Sequence, residues 1–171
     1  LKINIIRKTT GDSNIAFTVL KITGIARFSM LEKIAVKTEL SQIEKEEWTR
    51  VKERLNIICV EVAKSGGAIL IDAEESWIQP AIDDLALEMM KMYNLQRAVV
   101  YNTFQMYRRD RLEFLKKSHR LAVNSGFVLG AKPVRGAYME KERQRANKMG
   151  YSSPIQDTKK DSDRDYHAAL T

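Results

Sequence analysis

Residues 68–75 read Ala68-Ile69-Leu70-Ile71-Asp72-Ala73-Glu74-Glu75, a short apolar run that breaks directly into carboxylates. An uninterrupted apolar run of this length suits a strand covered on both faces, as strands of a parallel sheet are. The flanks agree. Upstream, Ser41 and Glu44 have capping-box spacing, and Trp48, Val51, Leu55, Ile58 and Val62 recur at steps of three and four, which is one helical face ending at Gly66. Downstream, Pro80 opens a second helix whose inner stripe is predicted to be Ile82, Leu85, Met89 and Met92.

The same alternation recurs along the chain. Strands are predicted at Phe17–Ile22, Ala98–Tyr101 and Phe127–Ala131, with a helix from about Arg109 to Asn124 between the last two and a charged helix from beyond Gly136 to Gly150. Residues 152–164 are polar and read as a loop, and Tyr166, Ala169 and Leu170 begin a further amphipathic helix. Strands separated by about 30 to 50 residues are what repeated βα units require. No G-x-G-x-x-G or P-loop follows the first strand, as a doubly wound nucleotide fold would show. The expected fold is therefore α/β, an incomplete (β/α)8 TIM-like barrel of about four parallel βα units.

Composition narrows the class. With 44% hydrophobic residues among 171, the chain can bury a core, and no apolar run approaches the ~18 residues of a membrane span. A single cysteine, Cys59, excludes an internal disulfide and fits an intracellular, reducing compartment, and two histidines do not make a metal centre. The formal charge of +7 comes from lysines and arginines interspersed with acids at helical spacing, which reads as solvated faces. No recognition motif accompanies the basic stretch Arg108-Arg109-Asp110-Arg111, so no nucleic-acid partner is expected; an anionic cofactor accounts for the charge as well.

Polar groups collect at the predicted C-terminal strand ends: Lys21, Asp72 with Glu74, Asn102 with Gln105, and Lys132 with Arg135. Convergence of such groups from several strands is how a barrel builds a site. Glycosidase chemistry needs a second carboxylate on another strand end, where this chain offers Lys, Gln and Arg instead. Lys21, inside an apolar strand, is expected to face the interior and meet an anion: either Asp72 or a substrate carboxylate, or else to serve as a Schiff-base amine. Gln105 and Asn102 supply neutral hydrogen-bonding groups. Gly136 lets backbone approach a ligand.

Taken together, these segments resemble the proline dehydrogenase family. The resemblance rests on Leu20-Lys21-Ile22-Thr23-Gly24, Ile71-Asp72-Ala73-Glu74-Glu75-Ser76-Trp77, Tyr101-Asn102-Thr103-Phe104-Gln105-Met106-Tyr107-Arg108, Val134 through Arg143, and Met149-Gly150-Tyr151 with Pro154-Ile155. It implies a distorted barrel that holds FAD and oxidises L-proline to 1-pyrroline-5-carboxylate, passing a hydride to the flavin and electrons on to a membrane quinone. It implies catalytic roles for Asp72 and Lys132, the latter near the flavin N5, and substrate contacts from Lys21 and Tyr138. Cofactor contacts are implied for Ala73, Gln105, Lys132, Val134, Arg135, Gly136 and Ala137. The compartment would be bacterial cytoplasm at the inner membrane or the mitochondrial matrix side.

Residues 1–171 would then form the central part of a barrel domain. Leu1 in place of Met, and four strands where a barrel has eight, lead to the expectation that parts on both sides are missing, that this piece alone is inactive, and that its unpaired edges can self-associate. Pro133 stands where the family usually has Leu and is unexpected in a central strand. The alternatives are a lysine-dependent barrel lyase built on Lys21 and a binding fragment without chemistry.

Overall fold

The structure, a computed structural model, describes residues 17–171. Strands β1 (Thr18–Leu20), β2 (Ile69–Ile71), β3 (Val100–Gln105) and β4 (Ala131–Val134) form one sheet in the order β1-β2-β3-β4. Every pairing is parallel, with Leu20 beside Ile71, Ile71 beside Asn102 and Gln105 beside Val134. Parallel neighbours need crossovers, and these are helical. Helices α1 (Phe28–Ala35) and α2 (Gln42–Lys64) link β1 to β2, α3 (Gln79–Tyr93) links β2 to β3, and α4 (Arg111–Ser125) links β3 to β4. Helices α5 (Met139–Met149) and α6 (Lys159–Ala168) follow β4. A doubly wound sheet reverses its strand order at a switch point. Here each strand is added on the same side of the last, which is how a barrel wall grows. The α/β fold expected from the sequence is the one found.

The α2 start is capped as predicted: the Ser41 hydroxyl accepts from the Glu44 N–H and the Glu44 carboxylate accepts from the Ser41 N–H at 3.0 Å. Its face of Val51, Leu55, Ile58 and Val62 is buried with Cys59 against β1, β2 and α3, forming the main core. Gly66, at φ +74°, ends the helix. On α3, Ile82, Leu85 and Met89 are buried, whereas Met92 is half exposed. The buried stripe stops one turn before the helix does.

Four placements differ from expectation. β1 ends at Leu20, so Lys21 stands just past the strand and opens a 3-10 turn, Ile22–Gly24. β3 starts at Val100 and continues to Gln105, and β4 is Ala131–Val134 rather than Phe127–Ala131. Buried Asn94 sits where both later strands are entered. Its carboxamide donates to the carbonyls of Val100 and Val128, both at 2.8 Å, and accepts from the N–H groups of Val99 and Val100. Backbone that sequence patterning assigns to strand interior is thus tied to a side chain at the entry to the sheet. The fourth difference is α6: the Thr158 hydroxyl accepts from the Asp161 N–H and starts a helix within the stretch read as loop, which ends at Ala168 before Leu170.

Pro133 lies in β4, beside Phe104 of β3. The Asn102 and Met106 N–H groups donate to the carbonyls of Gly130 and Val134. Strand residues alternate in the side to which their backbone groups point, so Gly130, Lys132 and Val134 face β3 and Pro133 faces away. The proline removes no donor from the β3–β4 ladder.

Candidate functional site

The C-terminal ends of all four strands open onto one cavity of about 350 Å3. Nine of the ten residues expected at the site line it: Lys21 after β1, Asp72 and Ala73 after β2, Gln105 at the end of β3, Lys132 and Val134 of β4, and Gly136, Ala137 and Tyr138 in the following turn. Arg135 is not among them. Lys132 and Val134 share the cavity face, and Arg135 turns to α6, 3.3 Å from Asp163 and with its guanidinium 4.9 Å from the Tyr166 ring centre.

The charges inside are arranged as two cations and one anion. Lys132 Nζ donates to Asp72 Oδ1 at 2.8 Å. Lys21, expected to face an anion, donates instead to the neutral Tyr138 hydroxyl at 3.2 Å, and its ammonium lies 5.8 Å from that ring's centre. Lys132 takes the Asp72 partnership, which leaves Lys21 without a carboxylate at ion-pair distance among the described residues. The Tyr138 hydroxyl is the main cause of a raised Lys21 pKa, with Glu74 and Asp72 adding attraction. An amine that attacks a carbonyl needs the opposite shift. The Schiff-base lyase is disfavoured on this ground.

Other strand-end polar groups serve the scaffold. Glu74 is buried and accepts from the Thr23 N–H at 3.0 Å and from the Thr23 hydroxyl at 2.5 Å, tying the turn after β2 to the turn after β1. Asn102 points to the helix side of the sheet, where its Nδ2 donates to Asp83 Oδ1 at 2.8 Å. Asp83 also accepts from Gln79 and from both terminal nitrogens of Arg111, and the Gln79 oxygen accepts from the Glu74 N–H. Buried Glu142 of α5 accepts from the Ser76 N–H and hydroxyl, both at 2.6 Å, so α5 holds the loop that carries Asp72 and Ala73.

Two cavity residues escaped the sequence reasoning: Thr103 and Tyr107. Ending β3 at Tyr101 hid the signal. Once the strand runs through Gln105, the spacing of two puts Thr103, Gln105 and Tyr107 on one face.

A cofactor ring with anionic parts is compatible with these residues. Two ammonium groups face one carboxylate, and a Cβ built on Gly136 would meet only the Met139 sulfur, at 3.5 Å, so the turn after β4 presents open backbone. Lys132 with the 134–137 backbone could hold such a ring, leaving Lys21 and Tyr138 for a small substrate beside it.

Parallel strands with helical crossovers and a cation–carboxylate site at their C-terminal ends define the class as a barrel-type α/β protein. The chain belongs to the proline dehydrogenase family: the family model described as "Proline dehydrogenase" matches residues 7–171. It is 38% identical over 132 residues to proline dehydrogenase 1, mitochondrial, of Caenorhabditis elegans, covering 77% of this chain and 21% of that protein. The human proline dehydrogenase 1, mitochondrial, is 34% identical over 133 residues, covering 78% and 22%. Among solved structures, proline utilization A from Bdellovibrio bacteriovorus, inactivated by N-propargylglycine, superposes with a TM-score of 0.80 at 18% identity, covering 98% of this chain and 18% of that one. The chain spans about a fifth of the length of these relatives.

Proposed function

We propose that this chain supplies the proline- and flavin-binding wall of an FAD-dependent proline dehydrogenase, forming 1-pyrroline-5-carboxylate. The observation that supports it most is the pairing at the cavity: Lys132 held by Asp72, while Lys21 is left free of any carboxylate among the described residues. Family membership supports the same reading. Residues 1–171 are then the central part of the barrel domain, with a quinone as the final acceptor, and the mitochondrial names of the animal relatives favour a mitochondrial site of action.

Each side chain has a task that follows from its surroundings. The Lys21 ammonium holds the substrate carboxylate by a charge-assisted hydrogen bond, and the Tyr138 hydroxyl steadies that ammonium at 3.2 Å. Asp72 fixes the Lys132 ammonium in place before the reaction, so no reorganisation is needed when charge arrives. FAD, when bound, would supply a hydride acceptor for the ring carbon next to the proline nitrogen. Lys132 offers a preset positive charge where the electrons arrive, lowering the barrier electrostatically. Apolar surface from Ala73, Val134 and Ala137 limits water around the substrate ring.

The test is anaerobic titration of the purified full-length protein, loaded with FAD, with proline. Bleaching of the oxidised flavin band that Lys21→Met greatly weakens is expected. An unloaded protein that binds no flavin, or a flavin band indifferent to proline, overturns the proposal.

A further inference from the structure

Among the described residues no cation pairs with Glu142, although its carboxylate is fully buried. Its two oxygens are taken up by one residue: the Ser76 N–H donates to Oε1 and the Ser76 hydroxyl to Oε2, both at 2.6 Å. Burying a carboxylate costs free energy that an apolar side chain of similar volume avoids. Its place in the first turn of α5 offsets part of that cost, since a helix N-terminus favours negative charge. The arrangement gains a double link between segments 66 positions apart in the chain.

Both segments reach the cavity. Ser76 belongs to the loop that begins with Asp72 and Ala73, which line it. Glu142 lies one helical turn beyond Tyr138, another lining residue, and its N–H donates to the Tyr138 carbonyl at 3.0 Å. Neighbouring pairs reinforce the link. Lys141 pairs with Glu75, and the Arg145 guanidinium lies 4.4 Å from the Trp77 ring centre. The start of α5 thus grips residues 75, 76 and 77 in succession, and the ion pair of Asp72 with Lys132 joins the same two stretches at the cavity.

We propose that Glu142 is a positioning residue: by seating Ser76 it sets where the loop after β2 stands, and so where Asp72 holds the Lys132 ammonium. The inference rests on the proposed function, in which Lys132 supplies a preset positive charge. A lysine side chain is long and flexible, so its ammonium follows the carboxylate wherever the loop carries it. The ion pair fixes the distance between the two charges, and Glu142 fixes their place. The contact of Lys21 with the Tyr138 hydroxyl involves the side chains of neither Ser76 nor Glu142, so substrate binding is set separately.

The experiment compares Glu142→Ala, Glu142→Gln and Ser76→Ala in the full-length protein, with Ser41→Ala as a control that weakens a helix cap elsewhere. It reads kcat and KM for proline per bound FAD and, before FAD is added, hydrogen exchange of the peptide spanning residues 72–77. Glu142→Ala releases the loop, so exchange there should quicken on the order of tenfold. Its kcat should fall on the order of tenfold to a hundredfold, the effect of a misplaced group, with KM nearly unchanged. Glu142→Gln keeps an oxygen for the Ser76 N–H and an amide donor for the turned hydroxyl, so both readouts should stay near wild type. Ser76→Ala removes one of the two donors and should give a smaller loss of the same kind; it decides the matter if Glu142→Ala does not fold. Ser41→Ala should lower the melting temperature and leave kcat alone. Unchanged kcat or unchanged exchange in both alanine variants, a loss confined to KM, or a Glu142→Gln as impaired as Glu142→Ala overturns the inference and leaves the proposed function standing. A wild-type protein whose bound flavin proline does not reduce overturns the proposed function and the inference together.

Discussion

Arg111 and Asp83 meet fork to fork, at 2.7 and 2.9 Å, with side chains only 3% and 4% exposed. The pair joins α4 to α3 across the back of β3, and the Arg111 guanidinium also lies 4.2 Å from the Phe114 ring centre. Removing one partner strands the other charge in a dry interior. Arg111→Met should cost about 3 to 5 kcal/mol in denaturant unfolding, whereas Arg111→Met with Asp83→Leu should recover much of that loss. Equal losses for the single and double variants would contradict this account.

Lys21 offers a sharper functional test. Its ammonium has only a neutral hydroxyl as partner, so a substrate carboxylate gains a charge-assisted bond there. Lys21→Met should lower kcat/KM for proline by about tenfold to a hundredfold, from the ~1.5 to 3 kcal/mol such a bond contributes. The loss should appear mainly in KM. Stability should barely move, because the side chain is exposed.

Cys59 is sealed in the core and burial pushes its thiol from an ordinary 9.0 up to about 12. The folded state therefore binds this proton more tightly than the unfolded chain does. Its contribution to stability is complete below pH 9 and is lost as pH rises from 9 to about 12. The loss should be on the order of 4 kcal/mol, and Cys59→Ala should flatten that part of the stability curve. A thiol reagent should label Cys59 only after denaturation. Rapid labelling of native protein would be inconsistent with the burial.

At the other end of the pH scale, Glu44 is held down to about 2, first by the hydrogen bond from Lys33 and then by the Ser41 cap. A lowered carboxyl gives stability that is present above its ordinary 4.5 and lost as pH falls towards 2. Ser41→Ala should cost about 1 kcal/mol at neutral pH, and the acid limb of unfolding should become shallower. An unchanged acid limb would show that the box contributes nothing.

How far the sequence could be read depended on whether a residue's partner was local. The α2 helix was legible because Ser41, Glu44 and the Val51 to Val62 stripe carry their information within a few turns. The parallel sheet was legible from apolar runs punctuated by acids and glycines. The β3 and β4 boundaries were not: both strand entries are tied to the Asn94 side chain, six and thirty-four positions from the backbone groups it meets. The cavity followed the same division. Lys21, Asp72 and Lys132 announce themselves as charges beside apolar runs, whereas Tyr107 reads as one more core aromatic until the strand before it is given its full length. That Lys132, and not Lys21, takes Asp72 is a matter of three-dimensional reach that spacing along a chain does not encode.

The outward-facing nitrogen of Pro133 acts as a notch in a key. Any strand laid against the side of β4 that carries no strand among the described residues finds a rung with an acceptor and no donor. A partner aligned so that the carbonyl opposite this gap already has another donor fits without cost; slipped by two residues, it would bury an unanswered oxygen, at ~1 to 3 kcal/mol. The missing hydrogen thus selects register by subtraction. It also makes β4 a poor template for strangers: an indiscriminate strand, arriving in arbitrary alignment, meets the gap more often than it matches it.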